Sequence, residues 1–283
     1  MTSRSTLSFL PRTLGACALA VAAALALSAC GIFGKEDENT TYVEQPVDRL
    51  YNTALDALGE GDYKAAAKAF EEVDRQHPYS VWATKAQILA AFSYYQGNKY
   101  DDAILALDRF IQLHPGHRDV TYAYYLKSLC YYEQIADVGR DQRITELALN
   151  ALADVVKRYP DTPYARDARL KVDLAIDHLG GKEMDVGRFY QRQRQYVAAI
   201  NRYRRVLEKY QTTTHTPEAL LRLVECYLAL GVRQEAQMAA AVLGHNFPGS
   251  DWYADAYLLL EGVDLRPERS EGSWLNRMWK SVF

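Results

Sequence analysis

Gly97-Asn-Lys-Tyr-Asp-Asp-Ala-Ile-Leu-Ala-Leu-Asp-Arg-Phe-Ile-Gln-Leu-His-Pro115 decides the fold. Ala103, Leu107, Phe110 and Ile111 recur at helical spacing and make one apolar stripe. Asp101, Asp102, Asp108 and Arg109 fall on the side left to water. Pro115 ends the helix, because it has no N–H to donate and restricts the residue before it. The block recurs. Tyr63, Ala66, Phe70 and Pro78 stand at offsets 0, 3, 7 and 15, and Tyr100, Ala103, Leu107 and Pro115 keep them. Thr145, Ala148, Leu152 and Pro160 follow, then Tyr196, Ala199 and Tyr203 with Gln211 in the proline slot, then Arg233, Ala236, Ala240 and Pro248. Five copies in register across unequal intervals describe a solenoid.

The block starts are 37, 45, 51 and 37 residues apart. The match extends backwards. Nine positions before the start stands a small residue in three copies, Ala54, Ala91 and Gly187, with Val224 in that place in the fifth; in the third copy, counting forward from Pro115 gives Ser128. Three positions later come Ala57, Tyr94, Tyr131, Tyr190 and Tyr227. Two helices approach closely only where a side chain is missing, and the aromatic fills the space beside the gap. This alternation of small and large positions resembles the tetratricopeptide (TPR) repeat, over about residues 46–262. The resemblance implies an all-α, right-handed superhelical solenoid of five TPR-like hairpins with a C-terminal capping helix. No segment shows strand alternation.

The hairpins are expected at 46–58 with 62–77, 80–96 with 99–114, 119–134 with 141–159, 185–194 with 196–210, and 217–230 with 233–246. A last helix runs from Asp251 to about Glu261. The stretch between Ile135 and Arg143 is expected to project as a polar loop. Asp161-Thr-Pro163 caps a further helix over 164–179, and Gly180-Gly181 is expected to break it. Residues 46–160 thus hold repeats 1–3, and residues 161–262 hold repeats 4–5 and the cap.

Residues 1–29 read as a secretory signal. Arg4 and Arg12 precede an apolar run from Leu14 to Leu27, too short to span a bilayer comfortably. The run ends in Leu27-Ser-Ala-Cys-Gly31, which resembles the bacterial lipobox. Cys30 is then the lipidated residue, and Gly31 in place of an aspartate implies the outer membrane. Residues 30–45 form a polar, disordered tether. Cys130 and Cys226 lie in first helices of different hairpins and are expected to be buried and unpaired.

A net charge of -3 shows no basic bias for nucleic acid. Histidine is sparse. His77, His114 and His245 lie at the ends of second helices, where imidazole suits the helix dipole. His114-Pro-Gly-His117 lacks a further ligand at metal spacing. There is no HExxH, phosphate loop or Gly-x-Ser-x-Gly, so no catalytic residues, cofactor or metal site are assigned beyond the lipid on Cys30.

The lipobox, the tether and the hairpins together resemble the BamD (ComL) family of the outer-membrane β-barrel assembly (BAM) machinery. Asp108-Arg-Phe-Ile-Gln-Leu-His-Pro115, Arg158-Tyr-Pro-Asp-Thr-Pro-Tyr164 and Tyr196-Val-Ala-Ala-Ile-Asn-Arg202 carry that resemblance. It implies a non-enzymatic lipoprotein on the periplasmic face of the outer membrane. Its C-terminal repeats would bind BamA within the BAM complex. Its N-terminal repeats would bind unfolded outer-membrane proteins through an aromatic-ended C-terminal signal. Other periplasmic TPR lipoproteins, such as pilotins, are the alternative. The resemblance places Arg202 opposite an acidic residue of BamA; a solvated surface charge is the other reading. Tyr95, Tyr122 and Tyr125 offer aromatic area with a polar tip for cargo, and Lys85 and Lys127 offer a base for its carboxylate. Each tyrosine could equally pack between helices, as Tyr63, Tyr100, Tyr131 and Tyr227 are expected to do.

Residues 263–283 form a linker and an amphipathic tail. Trp274, Leu275, Met278, Trp279, Val282 and Phe283 share one helical face, opposite Arg277 and Lys280. About eleven residues make no stable free helix, so the tail needs a surface. Docking on its own repeats, on the membrane interface, or on a partner through Trp274 and Trp279 all fit, and a partner such as BamA is favoured here.

Overall fold

The computed structural model describes residues 44–261, all helix and connecting turn. Eleven helices follow one another: α1 Val47–Gly59, α2 Tyr63–Gln76, α3 Val81–Gln96, α4 Tyr100–Leu113, α5 Val120–Tyr132, α6 Arg143–Arg158, α7 Pro163–Arg192, α8 Tyr196–Lys209, α9 Thr216–Ala229, α10 Arg233–Asn246 and α11 Asp251–Glu261. Each helix packs on the next in sequence, and α1, α3, α5 and α7 also touch in succession, so the hairpins stack as a solenoid. Cys30, Trp274 and Trp279 lie outside the described residues.

The repeat positions form the core. Ala66, Ala103, Ala148, Ala199 and Ala236 are fully buried, as are Phe70, Leu107, Leu152 and Tyr203 four residues on. The small positions Ala54, Ala91, Ser128 and Val224 are also buried, and Gly187 with them. The apolar interior is a succession of clusters. One joins α1, α2 and α3, and the next joins α3, α4 and α5. A smaller one lies at α6 and the start of α7, and the last runs from the end of α7 to α11. Each hairpin therefore completes its neighbour's core.

The turns repeat as closely as the helices. The residue two before the second helix is left-handed in four hairpins: Gly61 (φ 80°), Asn98 (57°), Arg194 (61°) and Gly231 (75°). The following N–H then reaches back to the first helix, from Asp62 to the Ala57 carbonyl at 2.9 Å and from Gln195 to Tyr190 at 2.9 Å. Only glycine takes this conformation without Cβ strain, so Arg194 holds it under strain.

Two expectations are corrected. Gly180-Gly181 does not break a helix: α7 runs unbroken for 30 residues. A β-carbon on Gly180 would lie 3.3 Å from Thr213 Oγ1 and 3.4 Å from Tyr210 Cβ, and one on Gly181 would lie 3.1 Å from His215 Nε2. The glycines admit the α8–α9 turn against the helix, and that packing outweighs their low helix propensity of about 1 kcal/mol each. The long interval before the fourth block is taken up by this longer helix. The α5–α6 loop does not project either. His178 Nε2 bonds the Ala136 carbonyl at 2.8 Å, Lys182 donates to the Gly139 carbonyl at 3.1 Å, and Gln142 is buried. The loop lies along the middle of α7, because Ile135, Ala136 and Val138 give it apolar area to cover. Asp108 is also not simply solvated; it accepts from Lys127 of α5.

Gly187 makes the tightest of these approaches. A β-carbon there would lie 2.4 Å from Cε1 of the fully buried Tyr203. Gly187→Ala should destabilise the chain by about 1–3 kcal/mol, as overpacking does. Gly59→Ala, with nothing within 4 Å, should leave it unchanged or slightly more stable. Urea unfolding of both variants checks this. Arg194→Gly should raise stability by roughly 0.5–1 kcal/mol, the strain relieved less the extra freedom of glycine in the unfolded chain. A lowered melting temperature would contradict that reading.

Candidate functional site

The first helices carry the aromatic side chains that the repeat core does not enclose. At the N-terminal end, Tyr51 of α1 packs against Trp82 of α3 with ring centroids 4.7 Å apart, and Lys85 Nζ sits 5.6 Å over the Trp82 ring. Ser80 accepts from the Ala83 N–H and so starts α3 here, which sets Val81 and Trp82 in its first turn. Tyr79 and Val81 are almost wholly in water, and Trp82 is 36% exposed. Lys85 thus stands beside an apolar edge, and among the described residues its ammonium meets no carboxylate within 4 Å.

Further along, Tyr122 and Tyr125 of α5 both lean on Tyr164 of α7, at 5.6 and 5.1 Å. The Tyr125 hydroxyl donates to Asp167, which also accepts from Lys171 at 2.8 Å. Lys171 lies 5.6 Å over the Tyr132 ring. Burial works to raise the Asp167 carboxyl, but the Lys171 ammonium and the Tyr125 hydroxyl outweigh it and hold it below its usual range. Burial and the same carboxylate push the Tyr125 phenol up, so it stays a donor. Tyr95 of α3 packs 5.9 Å from Tyr100 and donates weakly to Glu133 at 3.4 Å. Burial pushes its phenol, and that of Tyr122, up to about 12.

These placements separate the predicted cargo residues. Tyr122 and Tyr125 are brought together on Tyr164, while Tyr95 stands apart against Tyr100. All three are half-buried, as are Tyr63, Tyr100, Tyr131 and Tyr227, so the repeat pattern does not sort core tyrosines from freer ones. Lys127 reaches Asp108 at 2.5 Å and is already paired. Lys85 is the freer base. Tyr79, Val81 and Trp82 escaped the pattern search, although three large apolar residues around a helix cap, off the repeat positions, were a readable signal.

The C-terminal hairpins carry a different chemistry. Arg202 of α8 meets Glu183 of α7 at 3.1 Å, and Arg205 meets the other carboxylate oxygen at 3.1 Å. One carboxylate, 13% exposed, holds two guanidinium groups and leaves a positive surplus at the surface. Beside it lies a buried network. Arg222 of α9, 3% exposed, bonds Glu218 at 3.2 Å and Glu225 at 2.9 Å. Arg188 meets Glu218 at 3.1 Å, and Gln191 donates to Glu225 at 2.6 Å. A satisfied network of this kind fixes geometry, since loss of any one partner strands a buried charge. The spacing of Glu218, Arg222 and Glu225 along one helix face was legible, but their burial was not.

Burial pushes the Cys130 and Cys226 thiols up to about 12, and both are free. The His114 and His117 rings pack on Phe110 at 5.2 and 5.6 Å. No cluster of metal-ligating residues occurs among the described residues, and no described helix is long and apolar enough to cross a membrane.

Comparison with known proteins agrees with this architecture. Residues 43–243 match the YfiO family model, described as an outer membrane lipoprotein. The outer membrane protein assembly factor BamD of Caulobacter vibrioides is 52% identical over 252 residues, covering 88% of this chain and 83% of that protein. BamD of Rickettsia prowazekii is 44% identical, covering 82% of this chain and 91% of that protein. BamD of Neisseria meningitidis is 34% identical over 84% and 94%. A stacked helical-hairpin solenoid matched over its length at these identities places the chain in the YfiO/BamD family of outer-membrane assembly factors.

Proposed function

We propose that the chain is a lipid-anchored, non-enzymatic scaffold of the BAM complex that promotes folding and insertion of outer-membrane β-barrel proteins. The 52% identity to the Caulobacter assembly factor over most of both chains is the observation that carries this reading. Cys30, in its lipobox, is the residue that would hold the lipid on the periplasmic face. The two ends of the repeat stack divide the work. The aromatic first-helix face of α1, α3 and α5 suits an extended, aromatic-ended segment, with Lys85 as the base for its carboxylate. The positive surplus at Arg202 and Arg205 suits an acidic residue of BamA, with Glu183 holding both guanidinium groups in one geometry before contact.

Two measurements test this reading. Peptides ending in phenylalanine should bind the full mature chain, and removing the terminal ring should cost about 1.5–3 kcal/mol, the burial of one aromatic side chain. Trp82→Ala and Lys85→Glu should weaken that binding, whereas Lys127→Ala should change it little. Equal binding of a scrambled peptide in fluorescence anisotropy would remove the cargo role from this face.

For BamA, Arg202→Gln should weaken binding by about 1.5–3 kcal/mol if its guanidinium meets a carboxylate there. It is a cleaner change than Arg202→Glu, which also sets a carboxylate against Glu183. Calorimetric titration with the purified periplasmic domains checks it, and unchanged affinity would take Arg202 out of the interface.

A further inference from the structure

The two ends of the stack differ. At the first end, α1 turns Asp48, Arg49, Asn52, Thr53 and Asp56 to water, as a terminal repeat needs for solubility. At the last described end exposed apolar side chains stand among Arg233, Gln234 and Gln237. Met238 is 54% exposed and Val242 47%, one helical turn apart on α10, with Ala241 exposed between them. Tyr257 of α11 is 53% exposed. A groove between α10 and α11 is walled by Ala240, Ala241, Tyr253, Tyr257 and Leu260, with Arg233 and Gln237 beside them. Its floor is drawn close by Gly244, where a β-carbon would fall 2.4 Å from Tyr253. Glu261, the last described residue, stands on the rim of that groove.

The chain continues for 22 residues from this rim. Residues 262–272 are a polar linker, and eleven residues reach about 35 Å when extended. Helix α10, with 14 residues, is about 21 Å long, so any point on the groove is within reach. Residues 273–283 then place Trp274, Leu275, Met278, Trp279, Val282 and Phe283 on one helical face. Arg277 and Lys280 occupy the other, and Glu235 and Glu261 offer acidic groups on α10 and at the groove rim. A segment too short to be helical alone, a groove with aromatic walls that starts where the segment starts, and exposed Met238, Val242 and Tyr257 at the repeat end are complementary.

We propose that residues 273–283 fold back as a helix onto the α10–α11 face, where Trp274 and Trp279 cover Met238, Val242 and Tyr257 and close the solenoid. This moves the two tryptophans from a partner subunit, favoured on sequence alone, to the chain itself. It does not depend on the assembly-factor reading.

The test uses the full mature chain in two measurements. First, hydrogen exchange of the α10 and α11 amides is compared between the full chain, a chain ending at Gly272, and the Trp274→Ala/Trp279→Ala variant. Exchange there should quicken roughly tenfold or more in both altered chains, while α3 and α4 stay unchanged. Second, Met238→Cys with Met278→Cys in the intact chain should form an intramolecular disulfide whose yield does not depend on protein concentration. This second arm stands even if the shortened chain fails to fold. A crosslink that forms only between two chains would assign the groove to a second copy and overturn the proposal. Unchanged exchange with no crosslink would overturn it too, leaving the tail for a partner or a membrane surface.

Discussion

The close approach of paired helices at one small residue is the constraint on which the stack depends. Ala54, Ala91, Ser128 and Gly187 leave the space, and a large side chain from the second helix or the next turn occupies it. Tyr203 against Gly187 is the limiting case, with ring and backbone so near that no β-carbon fits. Dispersion and burial fall steeply with separation, so a fraction of an ångström at each pair decides whether the interior is filled. Because every hairpin meets only its neighbours, this local condition, repeated five times, sets the path of the chain.

Helix α7 is where the repeat is interrupted. Its first half pairs with α6 and its second half with α8, so one rigid element joins the N-terminal and C-terminal hairpins. The paired glycines in its middle let two connecting segments cross it, the α5–α6 loop through Ala136 and Gly139 and the α8–α9 turn through Thr213 and His215. Asp177 adds to the crossing by accepting from the backbone N–H and the hydroxyl of Thr214, at 3.1 and 2.9 Å.

The N-terminal hairpins and the α7–α8 pair differ in the surfaces they present. Around Tyr51, Trp82 and Tyr164 the surface is aromatic, and the carboxylates there are occupied by tyrosine hydroxyls or lysines, so an incoming apolar segment meets few unpaired charges. Around Arg202 and Arg205 the surface is ionic. There the part-buried carboxylate of Glu183 fixes both guanidinium groups of α8 and limits the entropy lost on contact.

The sequence by itself determined the repeat register, the ends of every helix but α7, and the identity of the core. Ala103, Leu107 and Phe110 are buried because a period of 3.6 residues admits no other shared face, and Pro115 and its counterparts leave no choice of terminus. The family was legible because motifs such as Asp108–Pro115 are continuous in the sequence. What only the tertiary structure decided involves segments far apart in the chain. Gly180-Gly181 reads locally as a break, and becomes a crossing point only when Tyr210 and His215 pack against it. Lys127 reads as a free base, and Asp108, nineteen residues earlier, claims it. Arg202 reads as a partner contact or a solvated charge, and Glu183 takes hold of it. Propensity and spacing are sums over near neighbours, whereas close approach and ion pairing depend on which distant residues the fold brings within a few ångströms.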